Sequence, residues 1–486
     1  MARLRNWING KPKWTIIGIA FGLCCLAGVF TALVTQPPYR IADAVVIDSI
    51  AQQYALHNTT EFADAKMQPE SIYLAAYPNN QFITYVLMVM YKAVSIVSTS
   101  ESAFVGTTTA INILMGSAAV VLLSIAVYRI TQRKIFGVAC YALSAFLIVL
   151  NPNLAVFYSD VPSLLITAAA LLLLATMYRS RTATYGQVAS LALLTALGAL
   201  IKPPAVIVPA LFMLIATFFA IKKRPIATIG LRKILAFFGT AAVVVVAANT
   251  VTTLTPNFAK YTPEQIDRYQ VSATFYFGMG SLRGLEPYPD CTMGTFCQAY
   301  VSDTVGVWGG QKGELASRAA RSEYALSLMR RSMSQDFPAG YASFVARKLT
   351  GAFFPSRAYY SENVDITSST LMWLRGNSAA LQLRDVIYGK QGPYPTLVRI
   401  LSFASVVLIV AGLIRYTSKK WQGAWLPGLL YLSLLVFILY GIVSEFRAAY
   451  IWQFLPVLIV LSVTGYWSLP RVTPTRSHHH ASARTP

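Results

Sequence analysis

The residues in this chain with chemistry to offer stand at the ends of apolar runs. Asp43 follows the first run in Pro37-Pro38-Tyr39-Arg40-Ile41-Ala42-Asp43, and Asp48 comes five residues later. Asp160 closes Tyr158-Ser159-Asp160, Lys202 precedes Pro203-Pro204, and Glu445-x-Arg447-x-x-Tyr450 separates two late apolar runs. Tyr77-Pro78-Asn79-Asn80 opens a further segment. A carboxylate within hydrogen-bond reach of a hydroxyl can take its proton as the oxygen attacks, and a lysine or arginine stabilises the anion that departs. Each residue also has a plainer use. Asp43 and Asp160 are suited to capping the helices that follow them, Asp48 falls inside a helical run as a solvated or packed residue, Lys202 can snorkel to an interface, and Glu445 and Arg447 can neutralise one another. Two carboxylates converging on one surface carry more weight than either alone.

Other chemistries lack their residues. The sequence has no GxxxxGK[ST], HExxH, CxxC or GxSxG, and in Phe277-Gly278-Met279-Gly280-Ser281-Leu282-Arg283-Gly284 the last glycine comes one residue too late for a dinucleotide fingerprint, so that cluster reads as a turn. Three of the four histidines, His478, His479 and His480, are consecutive near the end, and His57 is alone, so no metal site is expected from them. Cys24, Cys25 and Cys140 lie in apolar runs, whereas Cys291 and Cys297 share a polar stretch at a spacing unlike the common zinc pairs.

The elements that position these groups follow from composition. The chain has 486 residues, 55% hydrophobic and 12% charged, with mean hydropathy +0.53, far from the roughly 25% charged content of soluble proteins. An ordinary soluble enzyme is excluded. The net charge of +21 would suggest nucleic acid in a soluble chain, but here much of the basic charge lies between apolar runs and reads as membrane topology. Those runs fall at 14–34, 82–98, 104–128, 135–150, 161–177, 187–201, 203–221, 234–254, 397–414, 424–443 and 448–468, eleven in all. If all eleven crossed, the basic connection at 129–134 would fall outside with the N-terminus inside, against the rule that short basic loops face the cytoplasm. Leaving 82–98 on the outer surface restores the rule for every short basic loop. Lys92, in the middle of that segment, agrees, since a lysine at the bilayer centre costs on the order of 2.5–3.5 kcal/mol.

Ten spans with both termini inside are therefore expected in an all-α polytopic protein. Residues 1–254 form an N-terminal membrane module with the first outer loop at 35–81 and an interfacial segment at 82–98. Residues 255–396 form an outer, mainly helical loop domain with helices near 314–333 and 340–351, 397–470 hold the last spans, and 471–486 make a disordered cytoplasmic tail. The first span is too long for a signal peptide and reads as a retained anchor. Facing an oxidising exterior, Cys291 and Cys297 are expected to form a disulfide.

An acid in the first outer loop, YPNN opening an interfacial helix, Tyr158-x-Asp160 before a span, Lys202-Pro203 at an outer turn and the late Glu445-x-Arg447-x-x-Tyr450 together resemble the polytopic GT-C glycosyltransferases, near the protein-mannosyltransferase and aminoarabinose-transferase-like branch. The resemblance spans roughly 14–470. It implies a bundle of spans with juxtamembrane helices in the first outer loop, and transfer of a sugar from a polyprenyl-phosphate donor to a glycan, lipid or protein acceptor of the cell envelope at the outer face of the plasma membrane. Carried over, Asp43 matches the first-loop catalytic acid and Asp160 the second-loop acid. Lys202 and Arg447, with Tyr77, Asn79 and Asn80, would hold donor and phosphate; Arg330-Arg331 and Arg347-Lys348 are further cations, for which solvated helix faces are the plainer reading. Asp43-Ala44 stands where the mannosyltransferase branch has an Asp-Glu pair, which leaves a divalent cation, Mg or Mn, as an open cofactor. Membrane lipids are expected partners and nucleic acid is not. The rival class is a secondary transporter or flippase, but such folds favour paired halves and interrupted helices at the midplane, and here the polar candidates gather at one interface.

Overall fold

The computed structural model describes residues 13–34, 42–60, 68–151, 154, 157–224, 226–284, 286–291, 297–305, 317–353, 393–417, 425–444 and 448–466. Among them the secondary structure is helical throughout, with no strand. The helices are α1 (Lys13–Val34), α2 (Ala42–His57), α3 (Gln68–Ala76), α4 (Gln81–Ser95), α5 (Glu101–Thr131), α6 (Lys134–Ser144), α7 (Asp160–Ser180), α8 (Tyr185–Ile201), α9 (Ile207–Ile221), α10 (Leu231–Leu254), α11 (Pro263–Tyr269), α12 (Ala273–Gly280), α13 (Gln298–Val305), α14 (Arg318–Ser334), α15 (Ala339–Phe353), α16 (Pro393–Thr417), α17 (Trp425–Val443) and α18 (Ala448–Gly465). Six stretches of the described residues are long and apolar enough to cross a membrane: Trp14–Ala32, Glu101–Thr131, Asp160–Ser180, Pro203–Ile221, Leu231–Leu254 and Trp425–Val443. Shorter apolar helices, Lys134–Val149, Tyr185–Ile201, Ala404–Tyr416 and Gln453–Gly465, occupy the other runs expected to span.

At the middle of the bundle α5 packs along α6 and α7, and α18 lies against α5, α6, α7 and α16. Apolar burial alone does not drive such association in lipid, where close backbone approach matters more. Gly412 of α16 and Gly465 of α18 show how close: a Cβ on Gly465 would lie 2.0 Å from the Gly412 carbonyl oxygen. Gly116 of α5 likewise makes room for Leu154, whose Cδ1 would be 2.6 Å from an added Cβ. The outermost helices are α1 and α10; in α10, Ile234 and Phe237 are buried while most other apolar side chains are exposed.

The segment at 82–98 is the helix α4, and it lies along α2. Its buried residues Ile83, Thr84, Leu87, Met88 and Tyr91 recur at three- and four-residue spacing, the pattern of a helix with one covered face. Lys92 is exposed at the edge of that face and donates to Ala55 O (3.0 Å) and Asn58 Oδ1 (2.8 Å) at the end of α2, where a cation meets the free carbonyls of a helix C-terminus. Between 255 and 396 the expected helices fall at Arg318–Ser334 and Ala339–Phe353. There Phe275, Met279, Tyr288, Tyr300 and Leu328 form a small core that also takes in Ala76 of α3.

Candidate functional site

Prolines set the local geometry of the site. Pro203 disfavours the helical region for Lys202, so α8 stops there: Lys202 is extended (φ −162°, ψ 109°), its N–H still donating to Gly198 O at 2.7 Å. Pro78 acts in the same way on Tyr77, which ends α3 and leads into a 3-10 turn at Pro78–Asn80 before α4 begins. Both breaks turn a polar side chain back toward the bundle. Lys202 and Asn80 are buried, at 9% and 3% exposure.

Around these breaks two polar groups assemble and touch. In the first, the Tyr73 hydroxyl donates to Asp43 Oδ1 (2.9 Å) and accepts from Asn80 Nδ2 (2.7 Å). Asn80 Oδ1 accepts from Asn79 Nδ2 (3.3 Å) and, at 3.5 Å, from the Tyr158 hydroxyl, and Tyr77 leans on the Tyr73 ring with centroids 5.0 Å apart. In the second, Lys202 Nζ donates to Asp160 Oδ1, which also accepts from Gln453 Nε2 (3.2 Å) on α18. Tyr158 joins the two, because Lys202 Nζ sits over its ring, 5.1 Å from the centroid. A continuous polar chain thus runs from Asp43 to Gln453 across α2, α3, α7, α8 and α18.

Electrostatics act on the chain as the burial dictates. Tyr73 is fully buried, and its phenol is held well above the ordinary value, first by desolvation and then by the negative charge of Asp43 beside it. It therefore stays protonated and remains a donor. The Tyr261 hydroxyl, next to the backbone of Leu74 and Ala75, is raised for the same leading reason, burial.

Both carboxylates reach beyond their own helices. Asp43 stands in the first turn of α2, where a carboxylate is favoured by the helix dipole, yet its oxygen is engaged by Tyr73. Asp160 is the first residue of α7 and takes up Lys202 and Gln453 across the bundle, and Ser159 at the cap position makes no side-chain cap bond. Asp48 is buried beneath α4, accepting from the Tyr91 hydroxyl and from Gln52 Nε2 (2.9 Å). Asn79 is exposed and Tyr77 half-buried.

Of the other candidates, Arg447 and Glu445 lie outside the described residues, as do the tail at 471–486 with its three histidines and residues 35–41 ahead of Asp43. Arg330, Arg331 and Arg347 are exposed. Lys348 is not: it is fully buried, with Nζ donating to Gly280 O (2.7 Å), Ser444 O (2.6 Å) and Ile442 O (3.4 Å). It clasps α15 to the ends of α12 and α17. Cys291 and Cys297 are joined by a disulfide, Cα to Cα 5.7 Å. Among the described residues no group of three or more His, Cys, Asp or Glu side chains converges to hold a metal ion. Hard divalent cations are held by several oxygens together, and Asp160 already serves Lys202 and Gln453, so the described donor set does not fit a cation.

Sequence reasoning passed over Tyr73 and Gln453. Tyr73 gave a trace in its i, i+4 spacing to Tyr77, and Gln453 in being a lone amide in an apolar helix, a position where a polar residue needs a partner. A protein family described as conserved hypothetical integral membrane protein matches residues 2–272, a stretch that holds every residue of the polar chain except Gln453. No curated protein and no solved structure matches the chain.

Proposed function

We propose that this chain, which belongs to the family of conserved hypothetical integral membrane proteins, is a GT-C-type glycosyltransferase with ten spans that moves a sugar from a polyprenyl-phosphate donor to a cell-envelope acceptor at the outer face of the plasma membrane. The observation that carries the reading is the polar chain itself: two carboxylates remote in sequence, a lysine and two tyrosines meet at one end of a bundle of apolar helices. Ionisable groups are costly near lipid and are kept there for chemistry or transport. A chain gathered at one end suits a donor whose lipid tail stays in the leaflet while its sugar phosphate rises to the interface.

The division of labour follows from the partners. Asp43 is the general base, taking the proton of the acceptor hydroxyl as that oxygen attacks the anomeric carbon. Tyr73, donating to one of its oxygens, orients it. The bond from the anomeric carbon to the phosphate oxygen breaks, and the departing phosphate needs cations. Lys202 is the cation that addresses a phosphate oxygen, with Asp160, itself held by Gln453, fixing its direction; Arg447 is the second cation. Tyr77, Asn79 and Asn80 line the approach.

The test is transfer by the purified protein supplied with radiolabelled polyprenyl-phosphate sugars and an envelope extract as acceptor. Asp43→Asn keeps the shape and should fold as the parent does, yet lose about 10²–10⁴ in rate. Asp48→Asn should lose thermal stability and keep transfer. Retention by Asp43→Asn of more than about a tenth of parental transfer would sink the assignment, being far above the loss of a base. Absence of transfer from any polyprenyl-phosphate sugar by the parent protein would sink the reading itself.

A further inference from the structure

The opposite end of the bundle carries a second concentration of charge, of one sign. α8 separates the two ends: its 17 residues span about 25 Å between Lys202 and the connections at 181–184 and 222–230. These two connections are one structure. The Ala183 N–H donates to Ala227 O (2.9 Å), and Lys233 Nζ reaches Ala183 O (2.6 Å) and Thr228 O (3.0 Å). The turn after α9 is closed on itself by Lys223 N–H to Ala220 O (3.0 Å) and Arg224 N–H to Phe219 O (2.9 Å).

Lys233 is consumed in that framework, and six cations are left on its surface. Arg179, Arg181, Lys222, Lys223, Arg224 and Arg232 are exposed, and neither 177–184 nor 218–234 contains an aspartate or glutamate to offset them. The surface directly below is apolar: Leu214, Phe218, Ile221, Leu231 and Leu235 are exposed on α9 and α10. Lys222 Nζ lies 6.0 Å from the centre of the Phe218 ring, where charge and hydrocarbon meet. A soluble polyanion would match the charge and leave the apolar wall uncovered. A molecule with a phosphate head and acyl chains matches both.

We propose that this end of the bundle is a binding site for an anionic phospholipid of the surrounding leaflet, its phosphate held by the joined connections and its chains laid on α9 and α10. The inference is independent of the catalytic reading, since it uses none of the same residues. Juxtamembrane cations attract anionic headgroups individually; a framework that fixes two connections against each other makes the cations act together on one headgroup.

The experiment uses the full chain, purified in a neutral detergent and exchanged into mixed micelles of phosphatidylcholine with increasing phosphatidylglycerol. Native mass spectrometry counts retained lipid, and heat denaturation gives stabilisation. The parent should retain phosphatidylglycerol in preference to phosphatidylcholine. Replacing Lys222, Lys223, Arg224 and Arg232 by Gln should weaken retention about tenfold or more, given the attraction per cation near a charged leaflet. A charge-matched control with Lys260, Arg268, Arg330 and Arg331 changed to Gln should leave it unaltered. Should the fourfold variant be unstable in phosphatidylcholine alone, the pair Arg179→Gln with Arg181→Gln takes its place and should show the same loss in part. Equal retention by parent and site variants overturns the proposal. So does equal loss in the control, or displacement of the lipid by inorganic phosphate at matched concentration, which would mark a simple anion site.

Discussion

Breaking the Lys202–Asp160 pair one partner at a time should produce unequal losses, and breaking it on both sides should recover stability. The two side chains are 11% and 15% exposed, so the pair is nearly buried, and removing one partner of a buried pair costs about 3–5 kcal/mol because the other charge is stranded. The surviving contacts decide which loss is larger. Lys202→Met leaves the Asp160 carboxylate with Gln453 Nε2 at 3.2 Å, a single neutral donor, and the cost should approach about 3 kcal/mol. Asp160→Asn keeps an oxygen for Lys202 and leaves the ammonium over the Tyr158 ring at 5.1 Å, so the cost should be nearer about 1–2 kcal/mol, that of a weakened hydrogen bond to a charge. The double variant strands no charge and should be more stable than Lys202→Met alone. The assay is heat denaturation of the purified protein in one detergent, followed by tryptophan fluorescence across all four members of the cycle. Losses that add to within about 0.5 kcal/mol, as independent sites do, would refute the coupling. Transfer separates structure from chemistry: the double variant should regain stability and remain inactive, whereas recovery of both would make the pair a structural device only.

Three other outcomes are expected. Tyr73, raised by burial and by Asp43, contributes stability that is complete below the unfolded tyrosine value of about 10 and declines as pH rises toward its own higher value; the difference spectrum between the parent and Tyr73→Phe should show no tyrosinate absorbance below about pH 10, and titration with the exposed tyrosines would contradict it. Lys348→Met strips a donor from the carbonyls of Gly280, Ile442 and Ser444 and should lower stability by about 3 kcal/mol or more, at about 1–3 kcal/mol for each buried group left unsatisfied, with Lys348→Arg intermediate; an unchanged denaturation temperature would be inconsistent with the clasp. For the ten-span topology, an impermeant maleimide on intact cells should label a cysteine at Ser100 and not one at Gln132, both exposed positions; labelling at 132 would reverse the assignment.

What the sequence made legible here was place. The candidate residues announce themselves because charge beside an apolar run is rare and because Pro78 and Pro203 mark the breaks that aim Asn80 and Lys202 inward. Lys92 argued that 82–98 is no span, and α4 with one covered face fits that argument. Pairing was not legible. Lys202 and Asp160 are 42 residues apart and Gln453 and Asp160 are 293 apart, and separations of that size are fixed by which helices pack together, information carried by close contacts such as Gly412 against Gly465 that no local pattern reveals. Lys348 and Arg321 were missed for a related reason. Arg321 donates to the carbonyls of Asp267, Arg268 and Gln270 at the end of α11, and a cation in an amphipathic helix looks the same in sequence whether it faces water or a neighbour's last carbonyls.

Helix starts show where local stability has been set aside for the site. Ser100, Thr184, Thr262 and Ser317 each accept a bond from their own helix, Thr184 and Thr262 in full capping boxes with Gln187 and Gln265. Asn80 is among the best capping residues by type, occupies the cap position of α4, and makes no cap bond; its amide is spent on Tyr73 and Tyr158 instead. Ser159 at the start of α7 makes none either, and the acid beside it is turned to Lys202. A forgone cap is worth about 0.5–2 kcal/mol, which other uses of the side chain must offset. Ser272 shows that the offset can be purely structural, since its hydroxyl ties α12 to Ser322 of α14 at 2.9 Å. Asn80 and Asp160 differ from Ser272 in what they are tied to: Asn80 to two phenols and Asp160 to a cation, groups that move protons and hold anions. That difference in partners, more than the loss of the caps, is what directs attention to this end of the bundle.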